Sequence, residues 1–465
     1  MKKLSMKKRL AMKSQSRRSF LASGIKTAVF GALANSGLSS AFAQSTPWSN
    51  WSGGQKCQPA GRYDISSEDQ LSDLLKSTRG SIRPIGSGHS FSPLVPTDGH
   101  LVVIDQLSGI LDYDADSLRA TIGAGSRLGD LGAQLEAIGQ GMFNLPDIDR
   151  QTLAGATATG THGTGVELQS LSGYITALRL VTPNGEVLDL DENSGDLFDA
   201  ARVNVGALGV VTQIQMQNRE LYKLKKREWT APTEDILENF DELAASHRHF
   251  EIFPLVYSDY SSVLSIDESD EPIGQTIIPS VETSLADLRP LGVNASPAEK
   301  LASNNARAQR AEVSEAVDLS YKLLTNLRNN RFNEMEYSVP IEVGAECVRE
   351  ILKTIYDQAI DVAFPLEYRY VGAEDPWLSM AYGDHPHATI SIHRTATEDY
   401  SPYFDIIEPI FWKYGGRPHW GKLHSLSHRE LAELYPRFRD FMEIRESLDP
   451  EGRMLNPHLR KLFNA

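Results

Sequence analysis

Ile82-Arg83-Pro84-Ile85-Gly86-Ser87-Gly88-His89-Ser90-Phe91-Ser92-Pro93-Leu94 is the stretch around which the rest of this 465-residue chain can be placed. Ile82 to Ile85 reads as a short strand. It runs into a loop where Gly86 and Gly88 bracket Ser87, followed by His89 and Ser90. Glycines this close together let backbone N–H groups approach a diphosphate with no Cβ in the way. A second run, Gly155-Ala156-Thr157-Ala158-Thr159-Gly160-Thr161-His162-Gly163-Thr164-Gly165, alternates small residues with hydroxyls. Two such loops, about one small domain apart, predict a long anionic cofactor held at two places. Neither run is the Gly-x-Gly-x-x-Gly that opens a helix after the first strand of a dinucleotide fold, and the Gly-Lys-Ser/Thr of a phosphate loop is missing.

Together the two runs resemble the vanillyl-alcohol-oxidase (PCMH-type) family of flavoproteins. The resemblance implies an α+β protein: a two-lobed PCMH-type FAD-binding domain plus an α+β substrate domain with an antiparallel sheet. It implies FAD against Pro84, Ile85, Gly86, Ser87, Gly88, His89 and Ser90 of the first loop. From the second loop it implies Gly155, Ala156, Thr159, Gly160, Thr161, His162, Gly163, Thr164 and Gly165. Val210 and Val211, in the run Val203-Asn204-Val205-Gly206-Ala207-Leu208-Gly209-Val210-Val211-Thr212, belong to a stretch that lies beside the flavin ring in that family. There the histidine of the Gly-x-Gly-His-Ser loop often carries FAD covalently through the flavin 8α position, and His89 is the residue that matches. Some relatives add a cysteine link, but no cysteine lies in or between the two loops here, so one link is expected.

The length predicts two domains. The first 43 residues read as a leader: nine Lys/Arg, no Asp or Glu, and Ser16-Arg17-Arg18-Ser19-Phe20-Leu21, which matches the twin-arginine export pattern. A weakly apolar stretch, Ala28 to Phe42, ends in Ala41-Phe42-Ala43, a signal-cleavage pattern. It is too short and too interrupted to span a bilayer. The expected mature protein starts near Gln44 and is periplasmic or secreted, exported already folded around its cofactor by the Tat translocase. Without the leader, 37 basic residues face 61 acidic ones, a net charge of −24. So negative a surface repels nucleic acid and anionic lipid and favours a neutral substrate over a large anion. Cys57 and Cys347 are read as two free thiols, although the compartment would permit a disulfide.

Ser67 to Lys76 predicts a short helix with Leu71, Leu74 and Leu75 on one face. Leu101 to Asp105 and Leu118 to Ile122 read as strands. Gly123-Ala124-Gly125 is taken to open a helix carrying Leu128, Leu131, Leu135 and Ile138. Ile175 to Thr182 and Glu186 to Leu190 flank Pro183-Asn184-Gly185 as a hairpin. The FAD domain is expected over 57–222, the substrate domain over 223–422, and a tail over 423–465 that returns to the FAD domain. Ser265 to Glu315, acidic and poor in aromatics, reads as an insertion in the second domain.

Further stretches narrow the resemblance. Asn333-Glu334-Met335-Glu336-Tyr337-Ser338-Val339-Pro340, Pro365-Leu366-Glu367-Tyr368-Arg369 and Tyr414-Gly415-Gly416-Arg417-Pro418-His419-Trp420-Gly421-Lys422 resemble runs of the sugar-lactone oxidases. Ala388 to Arg394 ends a strand in His393, and Leu455-Asn456-Pro457-His458-Leu459 closes the chain as in those enzymes. The resemblance spans nearly all of the mature chain and points to the aldonolactone and alditol oxidase branch. It implies a site of Glu367, Arg369, His393 and Lys422.

Those residues make chemical sense unaided. Two apart on a strand, Glu367 and Arg369 point to one face; a carboxylate accepts from a polyol's hydroxyls while a guanidinium donates. Arg369 or Lys422 would stabilise an anionic reduced flavin. His393 would orient the reacting hydroxyl or take its proton. With no cysteine near the histidines and no His-Glu-x-x-His helix, no metal is expected. The expected activity is FAD-dependent oxidation of a CH–OH group in a sugar-derived 1,4-lactone, with hydride passing to flavin N5 and dioxygen reduced to hydrogen peroxide; an alditol substrate, or a dehydrogenase passing electrons to a periplasmic acceptor, is the alternative.

Overall fold

The strand that delivers the histidine loop, Ile82–Ile85, lies parallel to His100–Val103, which pairs on its other side with Gly61–Asp64. The expected helix, Glu68–Ser77, links the outer two strands. Ser67 caps it by accepting from the Gln70 N–H, and Leu71 and Leu75 are fully buried. The computed structural model describes residues 46–276, 295–326, 328 and 330–465, so the leader and its cleavage pattern lie outside the described residues. No described helix is long and apolar enough to cross a membrane.

Beside the parallel strands stands an antiparallel sheet of five, in the order Val187–Asp191, Ile175–Val181, Val210–Gln217, Arg119–Gly123, Ile110–Asp114. The hairpin around Pro183-Asn184-Gly185 forms, with Val187 opposite Val181 and Asp191 opposite Ala177. Along Val210–Gln217 alternate residues are buried, the period of a strand packed on one face.

Gly123-Ala124-Gly125 does not open a helix. Gly123 ends a strand, and the helix runs only over Leu128–Glu136, leaving Ile138 beyond its end. Gly125 is there for close packing: a Cβ would stand 2.1 Å from the Ile104 carbonyl oxygen. The second glycine run is not all loop either, since Leu153–Ala158 is a short helix capped by Thr152.

From Lys223 the chain builds a nine-stranded antiparallel sheet among the described residues. Its order is Gly274–Thr276, Ser314–Leu319, Lys223–Pro232, Tyr260–Glu268, His249–Pro254, Glu367–Val371, His387–Thr395, Phe332–Pro340, Arg417–Pro418. Parts of the stretch read as an insertion join this sheet, and Pro297–Ala308 within it is a helix. Ser265 to Glu268 complete a strand, and Ser314–Leu319 pairs with Lys223–Pro232 along its length. Residues 277–294 of that stretch lie outside the described residues.

The tail returns to the histidine loop. The Ile82 N–H donates to the Arg453 carbonyl at 2.7 Å. Asn456 Nδ2 donates to the carbonyls of Pro93 and Pro96 at 2.8 and 2.9 Å. Arg83, fully buried, spends its guanidinium on the carbonyls of Leu94, Val205, Gly206 and Met454. One side chain thereby ties the loop's base to two distant segments. Cys57 and Cys347 are both free.

Candidate active site

Two cavities, of about 900 and 970 Å³, meet at His89, Ser90, Gln151 and Thr159. The first is walled by backbone and small side chains: Pro84 to Ser90, Gly155, Ala158, Val205, Gly206, Val210 and Val211. Gly86 and Gly155 lie back to back across Thr152, and a Cβ on Gly86 would stand 2.2 Å from Thr152 Oγ1. Gly88, at φ +70°, adopts the left-handed conformation that favours glycine. None of the backbone N–H groups of Gly86 to Ser90 donates to another described residue. A row of unclaimed donors with no Cβ above it fits an anionic, phosphate-bearing group.

Not every residue expected at the cofactor reaches this cavity. Ala156, Gly160, Gly163, Thr164 and Gly165 line neither cavity, while Thr161 and His162 line only the other one. The helix is the reason: over Leu153–Ala158 it presents Ala154, Gly155 and Ala158 outward and turns Ala156 into the core. Gly163 instead packs under Asn144 and Leu145, and Thr164 hydrogen-bonds Glu251 at 2.5 Å.

The second cavity is walled by charge. The four residues expected in the substrate site, Glu367, Arg369, His393 and Lys422, all line it, together with His89. Sheet register brings them together. Glu251 stands opposite Arg369, Glu367 opposite Ser391, Glu336 opposite Ser391 and Glu334 opposite His393, so four adjacent strands contribute one polar face. The Glu367–Arg369 pair closes at 2.8 Å, and Arg369 also meets Glu336 at 3.3 Å and Glu251 at 3.8 Å. Lys422 arrives from the loop after Arg417–Pro418, which is held to the sheet by the Leu423 N–H on the Glu334 carbonyl at 2.9 Å. Its Nζ lies 2.5 Å from Glu334 Oε2, and Glu334 Oε1 lies 3.6 Å from His393 Nε2.

Four glutamates thus share one arginine and one lysine. Burial pushes Glu367 up to about 7, and Arg369 only partly offsets it. Burial opposes the Arg369 charge, yet Glu367, Glu336 and Glu251 carry its pKa upward. Burial would also raise Glu336, but His162, 3.0 Å away, and Lys422 hold it well below the ordinary carboxylate range. Burial lowers His393. It brings His89 down to about 4, with Lys422, Arg127 and Arg150 adding to it, so the His89 imidazole is neutral at neutral pH. Neither ring nitrogen of His89 is bonded to another described residue.

Glu334, Glu336, His419 and Glu251 were not expected here. The signal for the first two was present: residues two apart in Asn333-Glu334-Met335-Glu336 share a strand face, as Glu367 and Arg369 do. The structure also forms two trios that could hold a metal ion, His162/Glu336/His419 and Glu334/Glu367/His393, each with its ligand atoms within 4.8 Å. Sequence spacing does not reveal them, because each draws its members from different strands and loops. Contacts within both trios already engage several of those atoms, as in the His162–Glu336 bond.

Residues 59–191 match an FAD-binding domain, and residues 214–462 match the D-arabinono-1,4-lactone oxidase family. The L-gulono-1,4-lactone dehydrogenase of Mycobacterium tuberculosis is 36% identical over 90% of this chain and 99% of its own length. The L-gulonolactone oxidase of Bos taurus is 28% identical over 89% of this chain and 97% of its own. The alditol oxidase of a Streptomyces species is 24% identical over 90% of this chain and 100% of its own. Among solved structures, a cholesterol oxidase from Brevibacterium sterolicum shares the fold, with a TM-score of 0.75 at 15% identity over 91% of this chain and 97% of that one. A donor-lined cradle opening onto a buried carboxylate–guanidinium face thus belongs to an FAD-dependent oxidoreductase acting on CH–OH groups, and the chain is a member of the D-arabinono-1,4-lactone oxidase family.

Proposed function

We propose that the protein oxidises a CH–OH group of a sugar-derived 1,4-lactone, with dioxygen as the final acceptor and hydrogen peroxide as product. The observation that carries this reading is the convergence of Glu367, Arg369, His393 and Lys422 on the cavity that opens at His89. FAD, when bound, supplies the hydride acceptor at N5. Pro84 to Ser90, Gly155, Val210 and Val211 would hold it, with His89 as its covalent attachment. In the second cavity Arg369 and Lys422 donate to the substrate's oxygens and place positive charge where negative charge develops. The Glu367 carboxylate accepts from a hydroxyl, and its position near neutrality lets it hold or release a proton at working pH. His393, neutral and steadied by Glu334, orients the reacting hydroxyl. Phe332 and Phe364 flank the polar face and present rings to the substrate's C–H faces.

A second reading keeps the site and changes the acceptor, and the name of the Mycobacterium tuberculosis relative, a dehydrogenase, favours it. Alditols in place of lactones are a third possibility, supported by the Streptomyces relative. A panel of aldonolactones and alditols, assayed in parallel for peroxide and for anaerobic dye reduction, separates all three. Peroxide with lactones supports the proposal, while dye reduction without peroxide overturns its acceptor.

We also propose export by the twin-arginine route, on the strength of Arg17 and Arg18 ahead of Ala41-Phe42-Ala43. Replacing both arginines by lysine should leave unprocessed precursor in the cytoplasm. Unchanged export, followed by fractionation and immunoblot, would count against the route.

A further inference from the structure

The residues just before the FAD-binding domain form a small hairpin whose role nothing above accounts for. Trp48–Ser49 pairs with Lys56–Cys57, and the bend between them contains Asn50 and Ser52, polar yet only 4% and 7% exposed. Burying polar side chains in so short an element costs free energy unless they are used. Ser52 accepts from Asn50 Nδ2 at 3.1 Å, and Asn50 is used on the histidine loop. The Trp51 N–H donates to the Gly88 carbonyl at 2.7 Å. Asn50 Nδ2 donates to the Ser90 carbonyl at 3.0 Å, and Gln55 Nε2 to the Phe91 carbonyl at 3.0 Å. Asn50 Oδ1 accepts from the Gln55 N–H at 3.0 Å, which ties the hairpin to itself. The carbonyls on both sides of His89 are therefore gripped.

The hairpin also reaches the imidazole. Trp51 stacks on His89 with ring centroids 5.3 Å apart and planes 27° apart. Phe332 meets the indole edge-on at 5.2 Å, wedging it against the histidine. On the other side Trp48 lies 3.3 Å from where a Cβ on Gly88 would stand, so glycine there admits the tryptophan as well as the turn. A histidine free to rotate samples several rotamers. This one has a wall along one face and a fixed backbone on both sides, while its nitrogens stay unclaimed at the junction of the two cavities.

We propose that the hairpin Trp48 to Cys57 positions His89 for its attachment to FAD, with Trp51 setting the plane of the imidazole. The inference rests on the covalent reading given above. In the attachment a nitrogen of His89 forms a bond to the flavin 8α carbon. That carbon gives up a C–H bond as a proton and the imidazole gives up its N–H proton. The two electrons released reduce the isoalloxazine ring, and dioxygen then removes them as hydrogen peroxide. Such a step depends on approach geometry, and a misplacement of about 1 Å can cost about a hundredfold in rate. Trp51 is thus a positioning residue that acts through His89.

The test uses apoprotein of the full chain from riboflavin-starved cells, mixed with FAD, and follows acid-stable flavin by in-gel fluorescence. Trp51→Ala should slow incorporation by roughly 10- to 100-fold, and Trp51→Phe, which keeps a flat ring, should restore most of the rate. In a His89→Ala background, Trp51→Ala should leave the Kd for FAD, read by fluorescence quenching, within about twofold. Incorporation by Trp51→Ala at the wild-type rate overturns the inference. So does an equal loss of FAD affinity in the His89→Ala background, which would make the hairpin a structural support only. Wild-type protein that yields all its flavin to acid removes the covalent reading itself, an outcome distinct from either.

Discussion

On one side of His89 the cavity wall is backbone: glycines, alanines, valines, and an arginine, Arg83, whose guanidinium is spent on four carbonyls. On the other side it is side chain: Glu334, Glu336, Glu367, Arg369, His393 and Lys422, backed by Glu251, in a network of ion pairs within 3.8 Å. The first kind of wall binds by shape and by main-chain donors, which tolerate little added volume but carry no titratable charge. The second binds by charge held away from water, where each partner's protonation depends on the others. Substitutions should therefore separate cleanly. Those on the first wall should alter cofactor retention, and those on the second should alter chemistry and its pH dependence.

The largest effect is expected at the centre of the charged wall. Arg369→Ala should lower the rate of flavin reduction by about 10²- to 10³-fold, while the purified protein keeps its full FAD content. Anaerobic stopped-flow absorbance near the flavin band checks the rate and acid extraction checks the content. Loss of FAD from this variant would mean that the two walls are not separable.

A smaller effect with the opposite signature is expected at Gly86. Gly86→Ala drives a Cβ into Thr152 Oγ1, and overpacking of this kind costs about 1–3 kcal/mol. The variant should lose thermal stability and FAD occupancy, but molecules that retain FAD should reduce it at the wild-type rate. Slow reduction in the loaded fraction would contradict this.

The subtlest expectation concerns pH. Glu367 has its pKa raised by burial to about 7, so flavin reduction that uses the carboxylate should rise as pH increases through about 7. Glu367→Gln should be slower and lack that limb. Stability runs the other way. A carboxyl whose folded pKa lies above its ordinary 4.5 stabilises the fold fully below that value and loses the contribution as pH climbs through about 7. Glu367→Gln should therefore match or exceed the wild type in thermal midpoint at pH 8–9, and gain less at pH 5. A wild-type midpoint that rises with pH relative to the variant would reverse the assignment.

Among the strands and helices, what was legible in the chain was whatever local chemistry encodes. Leucine spacing marked the first helix, and Pro183-Asn184-Gly185 marked the hairpin. Glycine was the less faithful guide. Gly123 and Gly125, expected to open a helix, instead serve close packing against residues 104–108. A missing side chain says that something comes near but not what.

The sequence by itself determined the family, the α+β class, the cofactor and the loop bearing His89, because those follow from contiguous runs whose meaning does not depend on distant partners. Only the tertiary structure decided which glutamates surround Arg369, that Glu367 rather than Glu336 is the carboxyl raised toward neutrality, and that Trp51 lies flat on His89. Those outcomes depend on cross-strand register and burial, and both are set by residues dozens to hundreds of positions away along the chain.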